Sequence, residues 1–486
     1  MQRLTVMESP DWVQPQPIRL PAPSFPVRAR RVARTLGAAG RSFAPLVTRK
    51  LLRRDQVHPR PAAHAIRMMF EDLGATYVKF GQAVASSPAV IPEAIATEFR
   101  SCLDSGPAIP FSLVRARVEA ELGQPLAALF AEFEKRPIAA ASIAAVHRAR
   151  LHDGTLVAVK VLRPGIEQVV AADLDVMEPL FRFAARQGSE LGGNAVSYLV
   201  GLRRQVAEEL DLRNEARTMD YFRGLFVTAG LDRLVIPKVY HELSSRRVLT
   251  MEYMDGAPID DLAKAKEFGV EPGVLVRDLL RAWLLTALDV GAFHADIHAG
   301  NLFLLRDGRL AMLDWGVVAR LDPATKAFFR DIVEAGLGHE DAWQRLGDHV
   351  IQSQGVMLID GFGYTHAQIH EMTRNYMEPV LTKPMKDVSM AALFMPPDRA
   401  AAVNMGVAYV KPTRREEFKR NRSRARAFSK AMDAGHFEAD FQRQTFLSAK
   451  QLVYLERYGR MYLPDESLLG DHDFLRRALG VGDGAK

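Results

Sequence analysis

Apolar and polar positions along the chain follow a helical period, then a strand period, then a helical period again. Six prolines predict extended or disordered chain over residues 1–27, and apolar residues at helical spacing predict helices over residues 28–134. The spacing then changes to alternation, and residues 143–149 and 156–161 flank an Asp-Gly pair, which predicts a β-hairpin. A helical zone over residues 166–226 follows this hairpin.

The second half of the chain alternates between short strands and long helices. Residues 239–243 and 247–253 predict two more strands, and the chain beyond them is predicted to be helical apart from one hairpin. That hairpin joins residues 302–305 to residues 310–313 through a glycine-containing turn. This order predicts an α+β fold of the bilobal protein-kinase type, with a small β-rich N-lobe, a helical C-lobe and an N-terminal helical extension.

The changes in pattern also predict the domain boundaries. The predicted N-terminal units are a basic, Pro-rich and partly disordered arm (1–60) and the helical extension (61–137). The N-lobe follows (138–256), and then the C-lobe with a catalytic loop and a C-terminal helical region (257–486).

Composition narrows the class of protein. The chain has 486 residues, of which 48% are hydrophobic, and this is enough for more than one core. Cys102 is the single cysteine, which argues against an intrachain disulfide framework and a cysteine-based zinc site. The N-terminus lacks the apolar core of a secretory signal, and no uncharged apolar run approaches the ~18 residues of a membrane span. We therefore expect a cytoplasmic protein, either soluble or attached to a membrane face.

Positive charge is concentrated near the N-terminus. The chain carries a formal net charge of +6, but residues 1–60 hold 12 Lys and Arg against 3 Asp and Glu. Because apolar residues interleave with these cations, the arm is either a basic amphipathic segment for an anionic membrane surface or a solvated extension that packs loosely on the body. It offers little aromatic surface and no nucleic-acid module, so we expect no nucleic-acid partner.

The most informative stretch carries two acids and an amide at the offsets of a kinase catalytic loop. Asp296 lies five residues before Asn301, as in the H-R-D-x-x-x-x-N loop, and Asp314 follows thirteen residues later. Trp315 and Gly316 come next, where protein kinases have Phe and Gly. The predicted hairpin can bring Asn301 and Asp314 side by side, and these are ligands that Mg²⁺ takes when phosphates supply the rest. The stretch therefore predicts phosphoryl transfer from Mg²⁺-bound ATP, with Asp296 accepting a proton or orienting water.

A lysine on an apolar strand predicts the other half of the site. Lys160 stands in V-A-V-K-V, and a buried amine needs partners. Kinases pair this lysine with a helix glutamate, and Glu208, Glu209 and Glu215 all qualify. Glu208 and Glu215 are seven apart and would share a helix face, so spacing does not choose between them.

Two features could point to other chemistry. H-x-D-x-H around Asp296 also suits a transition metal, with His294 and His298 as ligands, but that interpretation leaves Asn301 and Lys160 unexplained. In addition, no G-x-G-x-x-G precedes Lys160. The phosphate-covering loop would instead be the alanine-rich segment Ala139, Ala140, Ala141 and Ser142. Alanine disfavours positive φ, so this loop should be stiffer, and Ser142 adds a hydroxyl.

Together these residues resemble the UbiB/AarF family of atypical kinases. That family has an alanine-rich loop, a K-x-G-Q motif and an E-x-D motif. Here they read Lys79-Phe80-Gly81-Gln82 and Glu209-Leu210-Asp211, and the resemblance assigns the lysine-pairing role to Glu215. The segment L-T-M-E-Y-M-D-G looks like the family hinge, in which the backbone of Glu252, Tyr253 and Met254 would meet adenine.

The resemblance implies that the K-x-G-Q helix folds across the cleft, with Lys79 and Gln82 facing the E-x-D residues and the alanine-rich loop. The implied chemistry is ATP hydrolysis or autophosphorylation, with ATP or ADP and Mg²⁺ bound. The implied setting is synthesis of isoprenoid quinones such as ubiquinone at a membrane face, with a lipid or quinone precursor as partner. Trp315 and Ala299 depart from the family's usual Phe and Pro.

Two other functions fit the same residues. A small-molecule phosphotransferase of the aminoglycoside and choline kinase type also carries H-x-D-x-x-x-x-N followed by an Asp-containing segment. A pseudokinase scaffold for a membrane-bound biosynthetic complex would keep the fold without turnover.

Overall fold

The computed structural model describes residues 18–53, 59–85, 109–186, 190–355, 358–359, 363–389 and 439–479. The helices are α1 (Phe25–Arg53), α2 (Pro59–Leu73), α3 (Ala75–Ala85), α4 (Phe111–Leu122), α5 (Leu126–Leu129), α6 (Ile166–Arg186), α7 (Glu190–Glu209), α8 (Leu212–Thr228), α9 (Leu262–Phe268), α10 (Pro272–Leu285), α11 (Pro323–Gly336), α12 (Glu340–Gly355), α13 (His366–Thr382), α14 (Ala439–Tyr462) and α15 (His472–Leu479). The strands are β1 (Glu132–Phe133), β2 (Ala139–Ala140), β3 (Ala144–Arg150), β4 (Leu156–Leu162), β5 (Leu234–Val235), β6 (Val248–Glu252), β7 (Gly256–Pro258), β8 (Ala292–His294), β9 (Leu302–Leu305), β10 (Leu310–Met312) and β11 (Val318–Arg320).

The N-lobe is an antiparallel sheet with strand order β1-β3-β4-β6, and β2 adds to β3. The predicted hairpin over residues 143–149 and 156–161 is confirmed as β3 and β4. Strand β4 lies between two apolar layers, since Val157 and Val159 pack with α4 while Ala158 and Leu162 pack in the main core. Side chains alternate along a strand, so position 160 shares the inner face with residues 158 and 162.

The predicted strand over residues 239–243 is not formed. Val239 makes a bridge to β6, but His241–Leu243 is a turn of 3₁₀ helix. Ser244 Oγ donates to the Tyr240 carbonyl oxygen at 2.7 Å, so a local side-chain hydrogen bond closes a turn where alternation suggested extended chain. The next predicted strand is confirmed as β6.

The C-lobe carries its chemistry on two small sheets. The predicted hairpin is confirmed as β9 and β10, paired in the register Leu304↔Leu310 and Leu302↔Met312. Sequence pattern missed the strands around it: β5 and β7 flank the hairpin in the order β5-β10-β9-β7, and β8 pairs with β11. These strands have two or three residues each, too few to show alternation.

The basic helix α1 packs on α2 and α6 through paired charges. The Arg31 guanidinium forms a buried ion pair with Asp173 and also donates to the Leu73 carbonyl oxygen at 2.8 Å. Arg28 contacts Asp175 at 2.7 Å. Removing one partner of a buried pair costs about 3–5 kcal/mol, so this part of the arm is firmly seated and the expectation of loose packing is wrong here. No helix within the described ranges combines the length and apolar content needed to cross a bilayer.

Candidate active site

Lys160 is the centre of the site. Its Nζ donates to both carboxylate oxygens of Glu215 at 2.9 Å and to Asp314 Oδ1 at 2.8 Å. The lysine and glutamate side chains are 10% and 3% exposed, whereas Asp314 is 46% exposed. One buried ammonium is therefore shared by two carboxylates, and only Asp314 opens to the cleft.

The glutamate that reaches Lys160 is positioned by a break between two helices. Helix α7 ends at Glu209, and Asp211 starts α8 by accepting from the Arg213 N–H at 3.1 Å. Glu208 and Glu215 therefore lie on different helices, and the argument that their seven-residue spacing puts them on one face is wrong. An N-cap aspartate favours a helix start, so Asp211 sets the phase of α8 that turns Glu215 towards β4.

Sharing one cation between two acids separates their pKa values. Burial raises the pKa of Glu215 to about 7, and repulsion from Asp314 and Glu209 adds to the effect of burial against the opposing attraction of Lys160. Burial also acts on Asp314, but the Lys160 ammonium outweighs it and holds the pKa of Asp314 well below its usual range. Burial lowers the pKa of Lys160, but Asp314 and Glu215 raise it above the ordinary value. Asp314 is thus the ionised carboxylate that faces the cleft.

Asp314 contacts Lys160 at the cleft, and the next residue, Trp315, is buried in the core. Asp314 has φ of 56°, a left-handed conformation that Asp tolerates better than most residues. The following Trp315 is buried, stacks on Phe222 at 4.6 Å between ring centroids, and lies edge-on to Phe226 at 6.3 Å. Because Phe222 and Phe226 lie seven and eleven residues after Glu215 on α8, the indole fixes the helix that carries the lysine's partner.

We expect Trp315→Phe to weaken the fold without abolishing the site. The indole Nε1 donates to the Met312 carbonyl oxygen at 3.0 Å, and phenylalanine loses this bond and part of the stack. The unfolding free energy should fall by about 1–2 kcal/mol, and nucleotide affinity should change by only about threefold. Urea denaturation and nucleotide titration of the same variant measure both quantities. A loss of binding with unchanged stability would contradict this role.

The side chains of His294 and Asn301 fix the backbone of the catalytic loop. His294 Nδ1 accepts from the Asp296 N–H at 3.0 Å, so Nε2 carries the hydrogen that it donates to the Leu313 carbonyl oxygen at 3.0 Å. Burial lowers the pKa of His294, which keeps the ring neutral. Both ring nitrogens are thus used, and His294 cannot be the metal ligand that the transition-metal interpretation required. Among the described residues, no cluster of three or more His, Cys, Asp or Glu side chains is arranged to hold a metal.

Asn301 joins the loop to the hairpin. Its side-chain Nδ2 donates to the Asp296 main-chain carbonyl oxygen at 2.9 Å, and its main-chain carbonyl oxygen accepts from the Leu313 N–H at 2.8 Å. The residue before Asp314 is therefore tied directly to Asn301, as the predicted hairpin required. Because Nδ2 is engaged, the side-chain oxygen Oδ1 is the Asn301 atom that could bind a metal ion.

A lysine that sequence analysis missed contacts Asp296. Lys450 Nζ of α14 donates to Asp296 Oδ1 at 2.6 Å, and the two side chains are 25% and 22% exposed. Burial would raise the pKa of Asp296, but the Lys450 ammonium outweighs it and holds the pKa below the usual range. No motif surrounds Lys450 in the sequence, so no local pattern signals this contact.

The alanine-rich loop is a tight turn between β2 and β3. Ala139 and Ala140 pair with β3, and the Ala141 N–H donates to the Ala144 carbonyl oxygen at 2.9 Å. The Arg163 guanidinium fixes the Ala141 carbonyl oxygen at 2.8 Å. Ala141 therefore does not offer its N–H to a phosphate. At the tip, the Ser142 hydroxyl is buried and has no hydrogen-bond partner within the described part of the chain.

The hinge follows β6. The Glu252 N–H donates to the Lys238 carbonyl oxygen at 2.8 Å, and the Tyr253 N–H donates to the Leu156 carbonyl oxygen at 3.3 Å. Both groups belong to the sheet, so they are not donors for an adenine base.

The K-x-G-Q helix is α3, and it reaches the cleft. Lys79 Nζ donates to Glu209 Oε2 at 2.7 Å, with exposed fractions of 15% and 6%. Asp211 pairs instead with the Arg213 guanidinium at 2.6 Å. Gly81 is buried, and the side chain of Gln82 lies outside the described residues. The positive charge of Lys79 also acts on Asp314, so α3 closes one side of the polar cluster.

The residues present fit a magnesium nucleotide. An ionised, half-exposed carboxylate and an amide oxygen are hard oxygen ligands, which suit Mg²⁺ with phosphates. The buried Ser142 hydroxyl provides an unsatisfied polar group on the alanine-rich loop, where a phosphate can complete its bonding.

A lysine–glutamate pair below a β-rich lobe, a loop with kinase-like offsets and a following aspartate that faces the cleft define a kinase-like fold. The chain belongs to the ABC1 atypical kinase-like family, whose domain matches residues 101–344.

Relatives cover most of the chain. An aarF domain-containing protein kinase of the Arabidopsis thaliana chloroplast is 34% identical over 411 residues, which are 84% of this chain and 73% of the relative. An uncharacterised Mycobacterium tuberculosis protein is 32% identical over 455 residues, or 92% of this chain and 84% of the relative. A probable protein kinase UbiB of Cellvibrio japonicus is 29% identical over 451 residues, or 90% of this chain and 73% of the relative.

Proposed function

We propose that this protein is an atypical kinase-like ATPase that binds ATP or ADP with Mg²⁺. The observation that carries the proposal is the sharing of Lys160 between a buried glutamate and an ionised aspartate at the cleft. The attraction within a buried ion pair is largely offset by the cost of removing both charges from water. The third charge, Asp314 on the exposed side of the Lys160–Glu215 pair, therefore favours a role in ligand binding.

Each residue has a role in the proposed reaction. Lys160 holds the α- and β-phosphates and is itself held by Glu215, while Asp314 and the Asn301 amide oxygen would hold Mg²⁺. Bound Mg²⁺ supplies neutralisation of the charge on the polyphosphate. Asp296 accepts the proton of an acceptor hydroxyl or orients a water molecule, and the hinge backbone holds the base.

Helix α3 bears on the choice of acceptor. A desolvated Lys79–Glu209 pair fixes this helix beside the cleft, where it restricts the access of a peptide substrate. We therefore favour ATP hydrolysis or autophosphorylation over transfer to other proteins. From the resemblance of the sequence motifs to the UbiB/AarF family, we also propose a setting in isoprenoid quinone or other lipid metabolism.

The proposal is tested by ADP release from the purified full-length protein with ATP, with and without Mg²⁺. We expect a slow Mg²⁺-dependent turnover that soluble alcohols, including choline and aminoglycosides, change by no more than about threefold. One alcohol that stimulates turnover about a hundredfold would replace the ATPase by a small-molecule phosphotransferase. Absence of both nucleotide binding and turnover would leave a scaffold.

The exposed face of α1 supports an attachment to anionic lipid. Phe25, Val32 and Leu36 are 82%, 39% and 69% exposed, and spacings of seven and four residues put them on one helix face. Arg30 is exposed on the same helix. An exposed apolar stripe on a basic helix resembles the pattern of a helix that lies in the membrane interface, so we propose a peripheral site on a membrane that carries the lipid substrate or partner.

We expect the double substitution Val32→Glu with Leu36→Glu to weaken binding to vesicles of phosphatidylcholine and phosphatidylserine by about tenfold or more, because it replaces apolar contact with repulsion. Leu113→Glu is the matched control, since Leu113 is 48% exposed on α4, away from this stripe. Vesicle co-sedimentation at low and high salt gives both values. An equal loss of vesicle binding in the double variant and in Leu113→Glu would contradict the assignment of α1 as the attachment site.

A further inference from the structure

One face of α14 lies along the catalytic loop. Lys450, Tyr454 and Tyr458 are spaced by four residues, so they lie on one side of the helix. Lys450 Nζ donates to Asp296 Oδ1 at 2.6 Å, and the Tyr458 hydroxyl donates to the Ile297 carbonyl oxygen at 2.8 Å. The ring centroids of Tyr454 and His298 are 6.5 Å apart. Side chains from successive turns of α14 thus contact three consecutive residues of the loop.

The helix is held in this place at its C-terminal end. The Tyr462 hydroxyl donates to the Ile259 carbonyl oxygen, whereas Arg457 forms a partly exposed pair with Asp260 at 2.7 Å that adds little to this anchoring. Tyr458 is fully buried. The Tyr462 contact joins the C-terminal end of α14 to the segment just after the hinge, so this end of the helix is attached to the C-lobe.

The chemistry of Lys450 goes beyond packing. An ammonium on a carboxylate oxygen inside a partly buried site forms a short charge-assisted hydrogen bond. Lys450 contacts Oδ1, which leaves Oδ2 as the oxygen that we assign to the acceptor hydroxyl or water. A carboxylate held by one oxygen keeps its other oxygen in a fixed direction, which is what a general base needs.

We propose that Lys450 is a positioning residue for Asp296 and that α14 is a built-in part of the catalytic site. This inference rests on the proposed function, because Asp296 is the acceptor-side group of that reaction. Lys450 acts through Asp296 and is not assigned a contact with the nucleotide. It is distant in sequence from every motif of the site, and it makes the C-terminal region part of the chemistry.

The test is the kinetics of ADP release by Lys450→Met in the full-length protein. We expect kcat to fall about tenfold or more while the KM for ATP stays within about threefold, since nucleotide binding uses other residues. Lys450→Arg should restore most of the rate, because arginine keeps the charge and can reach the carboxylate. Arg457→Met is the matched control, which removes another α14 ion pair and should leave kcat within about twofold.

A double-substitution cycle separates positioning from general damage. In an Asp296→Asn background, adding Lys450→Met should lower the remaining rate by less than about twofold, because the group through which Lys450 acts is already lost. Independent losses that multiply would overturn the inference, and so would a kcat of Lys450→Met within about twofold of the wild type. A Lys450→Arg variant as slow as Lys450→Met would also overturn it.

A second readout does not depend on turnover. If the wild type shows no turnover, the proposed function fails, and hydrogen exchange of the loop amides from residue 295 to residue 299 still tests the contact. We expect Lys450→Met and Lys450→Gln to raise exchange there about tenfold, and Arg457→Met to leave it unchanged. Unchanged exchange in both Lys450 variants would show that Lys450 does not position the loop.

Discussion

Substituting Asp314 by asparagine should abolish the effect of Mg²⁺ on nucleotide affinity. With Mg²⁺ present, ATP affinity should fall about a hundredfold, or about 2.7 kcal/mol, because the charged oxygen ligand is lost while the volume is kept. Without Mg²⁺, affinity should change little. Asparagine is the suitable replacement because it tolerates the left-handed backbone of this position, where alanine would add strain. Isothermal titration with and without Mg²⁺ measures both affinities.

The matched control is Asp307→Asn on the turn of the same hairpin. Asp307 accepts from the Arg309 N–H at 3.1 Å, and asparagine preserves that acceptor with the same change in charge. This variant should bind Mg-ATP like the wild type. If Asp314→Asn keeps its Mg²⁺-dependent affinity within about threefold, the metal ligand is another group.

The second large effect is expected for Lys160→Met, which removes the shared cation and keeps the aliphatic stem. The unfolding free energy should fall by about 3 kcal/mol or more near neutral pH, because Glu215 stays buried beside Asp314 without a cation. Nucleotide affinity should fall with it. Lys264→Met is the control, since its contact with Glu267 is a half-exposed surface pair that contributes less than about 1 kcal/mol.

The loss in Lys160→Met should depend on pH in a defined direction. The pKa of Glu215 is about 7 in the folded protein and lower in the unfolded chain. A raised folded pKa stabilises the fold below the unfolded value, and this contribution is lost as pH rises through the folded value. Removing the Lys160 ammonium raises the folded pKa of Glu215 further, so the variant should lose stability relative to the wild type as pH rises above about 7, where Glu215 ionises in the wild type and stays protonated in the variant. Adding Glu215→Gln should remove most of that slope. A slope that persists in the double variant would assign it to another group.

Sequence reasoning was sufficient where several signals agreed on one element. Strand β4 was marked by an apolar run after an Asp-Gly turn, and the hairpin of β9 and β10 by two apolar segments around a glycine-containing turn. The hairpin then explains why the residue before Asp314 contacts Asn301, as the sequence predicted. Local pattern was enough because each contact is made within one supersecondary unit.

It was insufficient where a long-range contact or a short break decided the outcome. The two-residue break at Leu210 and Asp211 shifted the phase between α7 and α8, and spacing arguments across it failed. Lys450 meets Asp296 across 154 residues, and a lysine on a polar helix face carries no local sign of such a partner. The two-residue and three-residue strands around the site are formed by tertiary pairing that short segments do not encode.

The proposed convergence of Lys160, Asn301 and Asp314 on one polyphosphate is tested most directly by thermal denaturation of the wild-type protein with ADP and ATP, each with and without Mg²⁺. The account predicts a rise in midpoint that grows with nucleotide concentration and is much larger with Mg²⁺, since a ligand that binds only the folded state stabilises it. A midpoint that stays the same at millimolar nucleotide in the presence of Mg²⁺ would contradict it.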